Sequence, residues 1–517
     1  MGIMAASLSL TSQSGKCGLW KMGKQLPRGH GFARMRASMK ILHAGSELTP
    51  FARTGGLGDV LEALPTALAA RGHEVSVALP CYRSLREDAR LGARDTGVRL
   101  HVPVGGRTLD AEIWEGRAPN GVQVFLVRRD ESFDRSGLYG ADGSDYGDNA
   151  ERFIFFSKCV VEIARRISPP LDLIHVHDWQ AALVPVLIKD RKLPLASVLT
   201  IHNLAYQGSF WGMDFGMTNL PGHYFGASGV EFFGNLNLLK GGVLFADAIT
   251  TVSETYAREI QTPECGAGLD AVMREQAHKL RGILNGADYD EWNPAKDKLI
   301  AKTYKPSALA GKKSCRAALL AELKLAPAPK GPVFAMVTRL AEQKGIELIF
   351  PVIDRLLSND ARLIILGEGD TGYERELLIA SRRHPERFTF YKGVDERLAH
   401  LIQAGADVFL APSHFEPCGL TAMYALKYGT PPLARATGGL YQIVQDYDPA
   451  QDCGTGFVFH DYSAEALWDA IVRVKRVFAD APAWKALVQR AMNADFSWAR
   501  AVQGYEEIYT RLIGGAA

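Results

Sequence analysis

From residue 39 onward the chain alternates two patterns. Short unbroken apolar runs give way to longer stretches in which apolar residues recur every three or four positions. The first pattern predicts strands buried on both faces, the second amphipathic helices. Residues 39–44, 74–79, 122–127, 171–177, 195–201 and 248–252 read as strands. Among the helical stretches, 60–71 carries Val60, Leu61, Leu64 and Leu68 on one face, and 149–167 carries a second apolar face. Asp59 is placed to cap or open the first of these, and Pro65 inside it predicts a kink or a later start. The pattern resumes with strands at 333–337, 363–366, 388–392, 406–410 and 456–459. Strand–helix–strand order implies parallel sheets. The two halves share one layout, and Thr-Gly-Gly-Leu occurs once in each, at 54–57 and 437–440. The expected architecture is α/β, with two doubly wound Rossmann-like domains facing each other across a cleft. Their expected bounds are 39–281 and 282–497, with a hinge between Arg281 and Trp292 and a closing amphipathic helix in 498–517.

Residues 1–38 lack this pattern. No Asp or Glu precedes Glu47, whereas Lys16, Lys21, Lys24, Arg28, Arg34 and Arg36 do. We read 1–38 as a disordered or untranslated leader with Met39 as the working start. An organellar transit peptide has the same composition and is the alternative. Across the chain the formal net charge is only +2, and no basic block is interleaved with aromatics, so nucleic acid is not an expected partner. No apolar run approaches the ~18 residues of a membrane span. The 7 cysteines are scattered and lack C-x-x-C spacing, which points to a reducing compartment and away from a zinc site.

Candidate chemistry gathers where strands end, which is where ligands bind in an open α/β sheet. Pro412, Ser413 and Pro417 break the chain after the 406–410 strand, and helix-compatible sequence follows from Thr421. Glu416, Cys418, Gly419, Leu420 and Thr421 therefore sit on a strand-to-helix loop. Gly419 lets the backbone approach a ligand, and the free N–H groups of a helix start favour an anion. Arg339 and Lys344 follow the 333–337 strand and together suit a pyrophosphate, Arg as a fork and Lys as a point charge. Local physics leaves open a plain tight loop with a solvated Glu416 and two solvated cations. The shared position in one half favours binding. In the first half Arg53, Gly55 and Gly56 precede a helix, Asp178 and Trp179 follow the 171–177 strand, and His202 follows the 195–201 strand. No carboxylate cluster suggests a metal, and no cofactor is expected.

Seven motifs together carry a resemblance. They are Arg53-Thr-Gly-Gly-Leu-Gly-Asp59, His177-Asp-Trp179, His202-Asn-Leu-Ala-Tyr-Gln-Gly208, Leu284-Asn-Gly286, Arg339-Leu-Ala-Glu-Gln-Lys-Gly345, Glu416-Pro-Cys-Gly-Leu-Thr421 and Phe496-Ser-Trp498. Over nearly all of 39–513 the chain resembles bacterial glycogen synthases and plant starch synthases, retaining glucosyltransferases of the GT-B fold. The resemblance implies transfer of glucose from ADP-glucose to the 4-OH end of an α-1,4-glucan. It implies that Arg339 and Lys344 hold the diphosphate and that Glu416 contacts the donor glucose. The backbone of Gly419, Leu420 and Thr421, with Cys418 beside it, would lie at the phosphates. His202 would bind the donor sugar and Asp178 would lie near the acceptor. Arg53, Gly55, Gly56, Asp59 and Asn285 would complete the substrate-binding set, with no metal. The family usually has Lys where this chain has Arg53. A cytoplasmic location is implied, or the plastid stroma if 1–38 is a transit peptide. Another GT-B activity, or a degenerate relative that only binds or primes glucan, is the rival reading. Intact Glu416, Arg339, Lys344 and His202 weigh against the degenerate relative.

Overall fold

The computed structural model describes residues 38–141, 143–327, 330–358 and 360–514. The expected leader lies outside these residues except for Ser38, whose hydroxyl donates to the Gly72 carbonyl at 2.8 Å.

Two sheets organise the chain. The first has nine strands: β1 (Lys40–Ala44), β2 (Glu74–Pro80), β3 (Arg94–Val104), β4 (Arg107–Arg117), β5 (Gln123–Arg128), β6 (Leu173–His177), β7 (Ala196–Ile201), β8 (Ala248–Thr251) and β9 (Leu280–Gly282). Their spatial order is β9-β8-β7-β6-β1-β2-β5-β4-β3. The chain starts in the middle at β1, runs out through β2, then crosses back to β6 on β1's other side. The second sheet has six strands: β10 (Val333–Val337), β11 (Arg362–Gly367), β12 (Phe388–Lys392), β13 (Val408–Ala411), β14 (Pro432–Arg435) and β15 (Phe457–Phe459), in the order β12-β11-β10-β13-β14-β15. It reverses in the same way between β10 and β13. All six are parallel. Helices cover both faces of a parallel sheet, so its central strands read as unbroken apolar runs. Accordingly, β11 and β13 are buried along their whole length.

Where the structure differs from the sequence reading, the causes are local. β3 and β4 are an antiparallel edge of the first sheet that the apolar pattern does not announce. They alternate buried and exposed residues, and the first six residues of β3 are all exposed. The helix expected at 60–71 runs instead over Gly56–Ala70, with Pro65 inside it and no late start. An interior proline costs roughly 3 kcal/mol. The buried face of Leu57, Val60, Leu61, Leu64 and Leu68 offsets that cost. Asp59 is therefore a first-turn residue of this helix and not its cap. Leu420 and Thr421, placed on a loop, are the first two residues of the helix Leu420–Lys427. Gly282, placed at the start of the second half, closes β9 of the first sheet.

The helix Trp498–Gly514 packs Val502, Tyr505, Ile508 and Tyr509 into one core with Ile41, Val60, Leu64 and Leu173 of the first half. Its Glu506 is 1 % exposed, and it accepts two hydrogen bonds from Arg71, at 2.5 and 2.8 Å. The last helix thus belongs to the core of the first sheet.

Candidate active site

Each sheet reverses direction once, and the crevice at such a reversal is where open α/β sheets bind ligands. The segments leaving β1 and β6 carry Glu47, the Arg53 loop and Asp178. The segments leaving β10 and β13 carry Arg339, Lys344 and Glu416.

In the second half, Lys344 Nζ donates to Glu416 Oε2 at 2.6 Å, with both side chains largely buried. Ser413 Oγ donates to the same oxygen at 3.2 Å. The two turns are stitched together by backbone, His414 N–H to the Gln343 carbonyl at 2.9 Å. Gly345 makes the approach possible. Its φ is +68°, and a Cβ there would stand 2.1 Å from the Pro412 carbonyl oxygen. A carboxylate alone would repel phosphate, but Lys344 compensates Glu416 while keeping two more N–H groups. Arg339 is exposed, and among the described residues no ion pair engages its guanidinium. It is a cation available to a ligand.

Gly419 is the N-cap of the eight-residue helix Leu420–Lys427, with φ +101°. Cys418 is buried at its side. Burial pushes the thiol up to about 12, opposed by hydrogen bonds from Asn285. Asn285 is 4 % exposed and bonds to Cys418. It also lines a 1070 Å³ cavity next to the last helix, together with Arg281, Arg490 and Arg500. Thr421 is exposed and Leu420 half-buried.

The first half meets this loop at Gly56, where a Cβ would come within 3.6 Å of Leu420 Cδ1. Gly56 opens the helix Gly56–Ala70 and carries the first of its unpaired N–H groups. Gly55 N–H is already donated, to Glu47 Oε2 at 3.2 Å. Glu47 is a residue the sequence reading passed over. It is 4 % exposed and accepts from Thr54 N–H at 2.8 Å, Thr54 Oγ1 at 2.7 Å and Tyr139 OH at 2.7 Å. Its only sequence signal is an acid three residues past a buried strand. Arg53 is exposed and reaches Asp59 Oδ1 at 3.4 Å, while Thr49 Oγ1 donates to that oxygen at 2.7 Å. Burial raises the Asp59 carboxyl, and Thr49 and Arg53 oppose this.

Asp178 and His202 come together at the ends of β6 and β7. Asp178 Oδ1 accepts the His202 backbone N–H at 2.7 Å. Its φ is +55°, a left-handed setting rare outside glycine and typical of functional turns. Burial pushes its carboxyl up to about 7, and nearby Glu47 adds to the rise. Two clusters among the described residues have the spacing for a metal ion, His43 with His175 and His177, and Glu291 with Glu396 and His400. Neither includes Arg339, Lys344 or Glu416. Among the described residues no helix is long and apolar enough to cross a membrane.

Residues 40–275 match the family described as starch synthase catalytic domain, and 322–478 the one described as glycosyl transferases group 1. Over 477 residues the chain is 44 % identical to a glycogen synthase of Opitutus terrae, spanning 91 % of this chain and 99 % of that one. It is 45 % identical over 484 residues to a glycogen synthase of Anaeromyxobacter dehalogenans, spanning 92 % and 100 %. Among solved structures it is similar to the catalytic domain of starch synthase IV from Arabidopsis thaliana bound to ADP and acarbose. That match has a TM-score of 0.86 at 32 % identity, over 92 % of this chain and 100 % of that one. The GT-B expectation of two Rossmann-like sheets is met.

Proposed function

The chain belongs to the family of bacterial glycogen synthases and plant starch synthases, and from that premise we propose that its glucosyl donor is ADP-glucose. It is a glucosyltransferase of glycogen biosynthesis that elongates an α-1,4-glucan with retention. The ADP bound to the starch synthase structure supports the adenine nucleotide. We take residues 39–282 as the acceptor-side domain, 283–497 as the nucleotide-sugar domain and Trp498–Gly514 as the crossing helix. The cytoplasm is the proposed compartment.

The observation that carries the assignment of roles is the Lys344–Glu416 pair at the β10–β13 reversal, beside the helix start at Gly419. Breaking a glycosyl–phosphate bond builds positive charge on the sugar and negative charge on the departing diphosphate. Arg339, Lys344 and the N–H groups opening the Leu420 helix answer the negative charge, and Glu416 answers the positive. Lys344 links the two because it touches Glu416 while offering its remaining donors to phosphate. The acceptor hydroxyl attacks from the face the diphosphate leaves, and a diphosphate oxygen takes its proton. Asp178 supports the site by anchoring His202, which contacts the donor sugar. Arg53 and Gly56 bring the first domain to the diphosphate.

The test is nucleotide release with glycogen and either ADP-glucose or UDP-glucose. ADP-glucose should be the better substrate, and a preference for UDP-glucose would overturn the donor assignment. Glu416→Ala should lower kcat by about 10²-fold, the scale of one preorganised electrostatic contact. Parental turnover in the folded variant would remove Glu416 from the reaction.

A further inference from the structure

Behind the β6–β7 end of the first sheet, imidazoles stand in a row. His43 Nδ1 lies 3.0 Å from His177 Nε2, and His177 Nδ1 lies 3.1 Å from His202 Nε2. The rings of each pair are stacked, with centroids 5.4 Å apart. His175 packs under the row, its centroid 4.8 Å from His43 and 4.3 Å from His177. Both its nitrogens are taken elsewhere, Nδ1 by Tyr509 OH and Nε2 by Thr200 Oγ1, each at 2.6 Å. His43, His175 and His177 are fully buried and His202 is half-buried. Burial keeps all four neutral, holding His43 and His202 down to about 3 and the other two well below their ordinary value.

A neutral imidazole has one N–H and one lone pair. Each contact in the row consumes one of each, so only two settings exist. In the inward setting His202 Nε2–H donates to His177, His177 Nε2–H donates to His43, and His43 keeps its own proton on Nε2. In the outward setting His43 Nδ1–H donates to His177, His177 Nδ1–H donates to His202, and His202 carries its proton on Nδ1. The inner end of the row decides between them. His43 Nε2 is buried and, among the described residues, has no hydrogen-bond partner. The inward setting strands an N–H there, and the outward setting strands only a lone pair. On the main chain an orphaned buried N–H is rarer than an under-satisfied acceptor, and we apply the same ordering to the ring. The outward setting follows, and it leaves His202 Nδ1–H for a ligand.

We infer that His177 is a positioning residue for glucosyl transfer: backed by His43, it holds His202 in the tautomer that presents Nδ1–H as a donor to a substrate hydroxyl. This rests on the assignment of His202 to the substrate site. The adjacent residue acts on the same target from another side, since Asp178 anchors the His202 backbone. Two consecutive residues thus fix the ring and the main chain of His202 separately.

The experiment uses the full chain and two readouts. Imidazole ¹H–¹⁵N correlation spectra of uniformly labelled protein, with His202 identified by its loss in His202→Gln, report the tautomer without turnover. His202 should be protonated on Nδ1, and protonation on Nε2 overturns the inference. Kinetics then separate position from bulk. His177→Asn keeps an amide in the place of Nδ1, whereas His177→Gln places it where Nε2 was. His177→Gln should lower kcat about tenfold or more with little change in donor KM, and His177→Asn should recover most of that loss. Equal losses in the two variants overturn the positioning role. A His202→Gln variant with parental kcat would instead overturn the assignment of His202 on which the inference rests.

Discussion

Thr54–Leu57 and Thr437–Leu440 are the same four residues, and both open a helix under the hold of a glutamate from the first half. At the first copy Glu47 takes the Thr54 hydroxyl and the N–H groups of Thr54 and Gly55. At the second Glu259 takes the Thr437 hydroxyl at 3.2 Å and the Gly438 N–H at 2.9 Å. The surroundings are opposite. Thr54, Gly55 and Gly56 are exposed, whereas Thr437 to Leu440 are all buried. A Cβ on Gly55 would meet nothing within 4 Å, while one on Gly439 would stand 1.8 Å from the Cys418 carbonyl oxygen. Gly439 N–H donates to the Glu416 carbonyl at 2.9 Å. The second copy is thus the bed of the Glu416 loop, and the first faces the cleft. One tetrapeptide makes glycine necessary for two reasons, close packing in one place and open approach in the other.

The largest expected effect is in the buried copy. Gly439→Ala forces a methyl into the backbone of Cys418, so the Glu416 loop must move or the helix Gly438–Ile443 must come away. Urea unfolding should show a loss of about 3 kcal/mol or more, at the severe end for a single substitution. Turnover should fall with it. A stable Gly439→Ala would erase the contrast between the copies.

How much of this the sequence discloses depends on where the information sits. β10 is legible to the residue because a strand covered on both faces is apolar throughout. β12 is legible from Phe388 and Phe390 although it is an edge strand whose Tyr391 and Lys392 are exposed. The β3–β4 edge carries no such signal because more than half of its residues are exposed to solvent. Glu416, Lys344, Gly419 and His202 were legible as motifs at strand ends. Their pairing was not, since Lys344 and Glu416 are 72 residues apart and meet only through the β10–β13 reversal. The contacts of Glu259 and His177 are hidden for the same reason, since their partners Thr437 and His43 come from distant parts of the chain. Glu47 differs: it holds Thr54 and Gly55, seven and eight residues on, and only its bond from Tyr139 is long-range. The repeat of Thr-Gly-Gly-Leu was visible, but its two uses were not, because burial is a property of the fold.

Next in size is the glutamate of the exposed copy. Glu47→Ala deprives three donors of the Arg53 loop and the Tyr139 hydroxyl of their acceptor, and water replaces only some of these bonds. A loss of roughly 2 kcal/mol is expected. Catalytic efficiency should fall too, because the loop loses its tether. Glu259→Ala removes the acceptor of only two donors and should cost less. The reverse ranking would mean that the exposed loop is held by something other than Glu47.

A pH effect marks the first copy alone, because its glutamate has Asp178 as an acidic neighbour. The folded chain keeps the Asp178 proton up to about pH 7. An unfolded Asp releases its proton near about 3.9. Between those values the folded state binds more protons, so this group's contribution to stability falls as pH rises through the window. Asp178→Asn abolishes that slope and still offers Oδ1 to the His202 N–H. The variant should therefore gain on the parent in urea midpoint from about pH 4.5 to about pH 7.5. A constant difference would mean that Asp178 ionises in the ordinary range.

The smallest expected change in stability is at Gly55, and it is the sharpest test of what the exposed copy is for. Gly55 has φ −161° and ψ −162°, an extended conformation that alanine adopts freely. Alanine there restricts the unfolded chain and so stabilises the fold by about 0.4–1 kcal/mol. As an N-cap, alanine is worse than glycine by a comparable amount. The two terms oppose, and Gly55→Ala should unfold within about 0.5 kcal/mol of the parent. Catalysis is where the substitution should be felt. The new methyl points into the open space in front of the helix start, the place assigned to the donor diphosphate. Donor KM should rise several-fold while the acceptor KM holds. A variant with parental stability and parental donor KM would show that the diphosphate does not reach this loop. The two copies of Thr-Gly-Gly-Leu would then both be structural, and the first domain's hold on the donor would pass to Arg53 and His202.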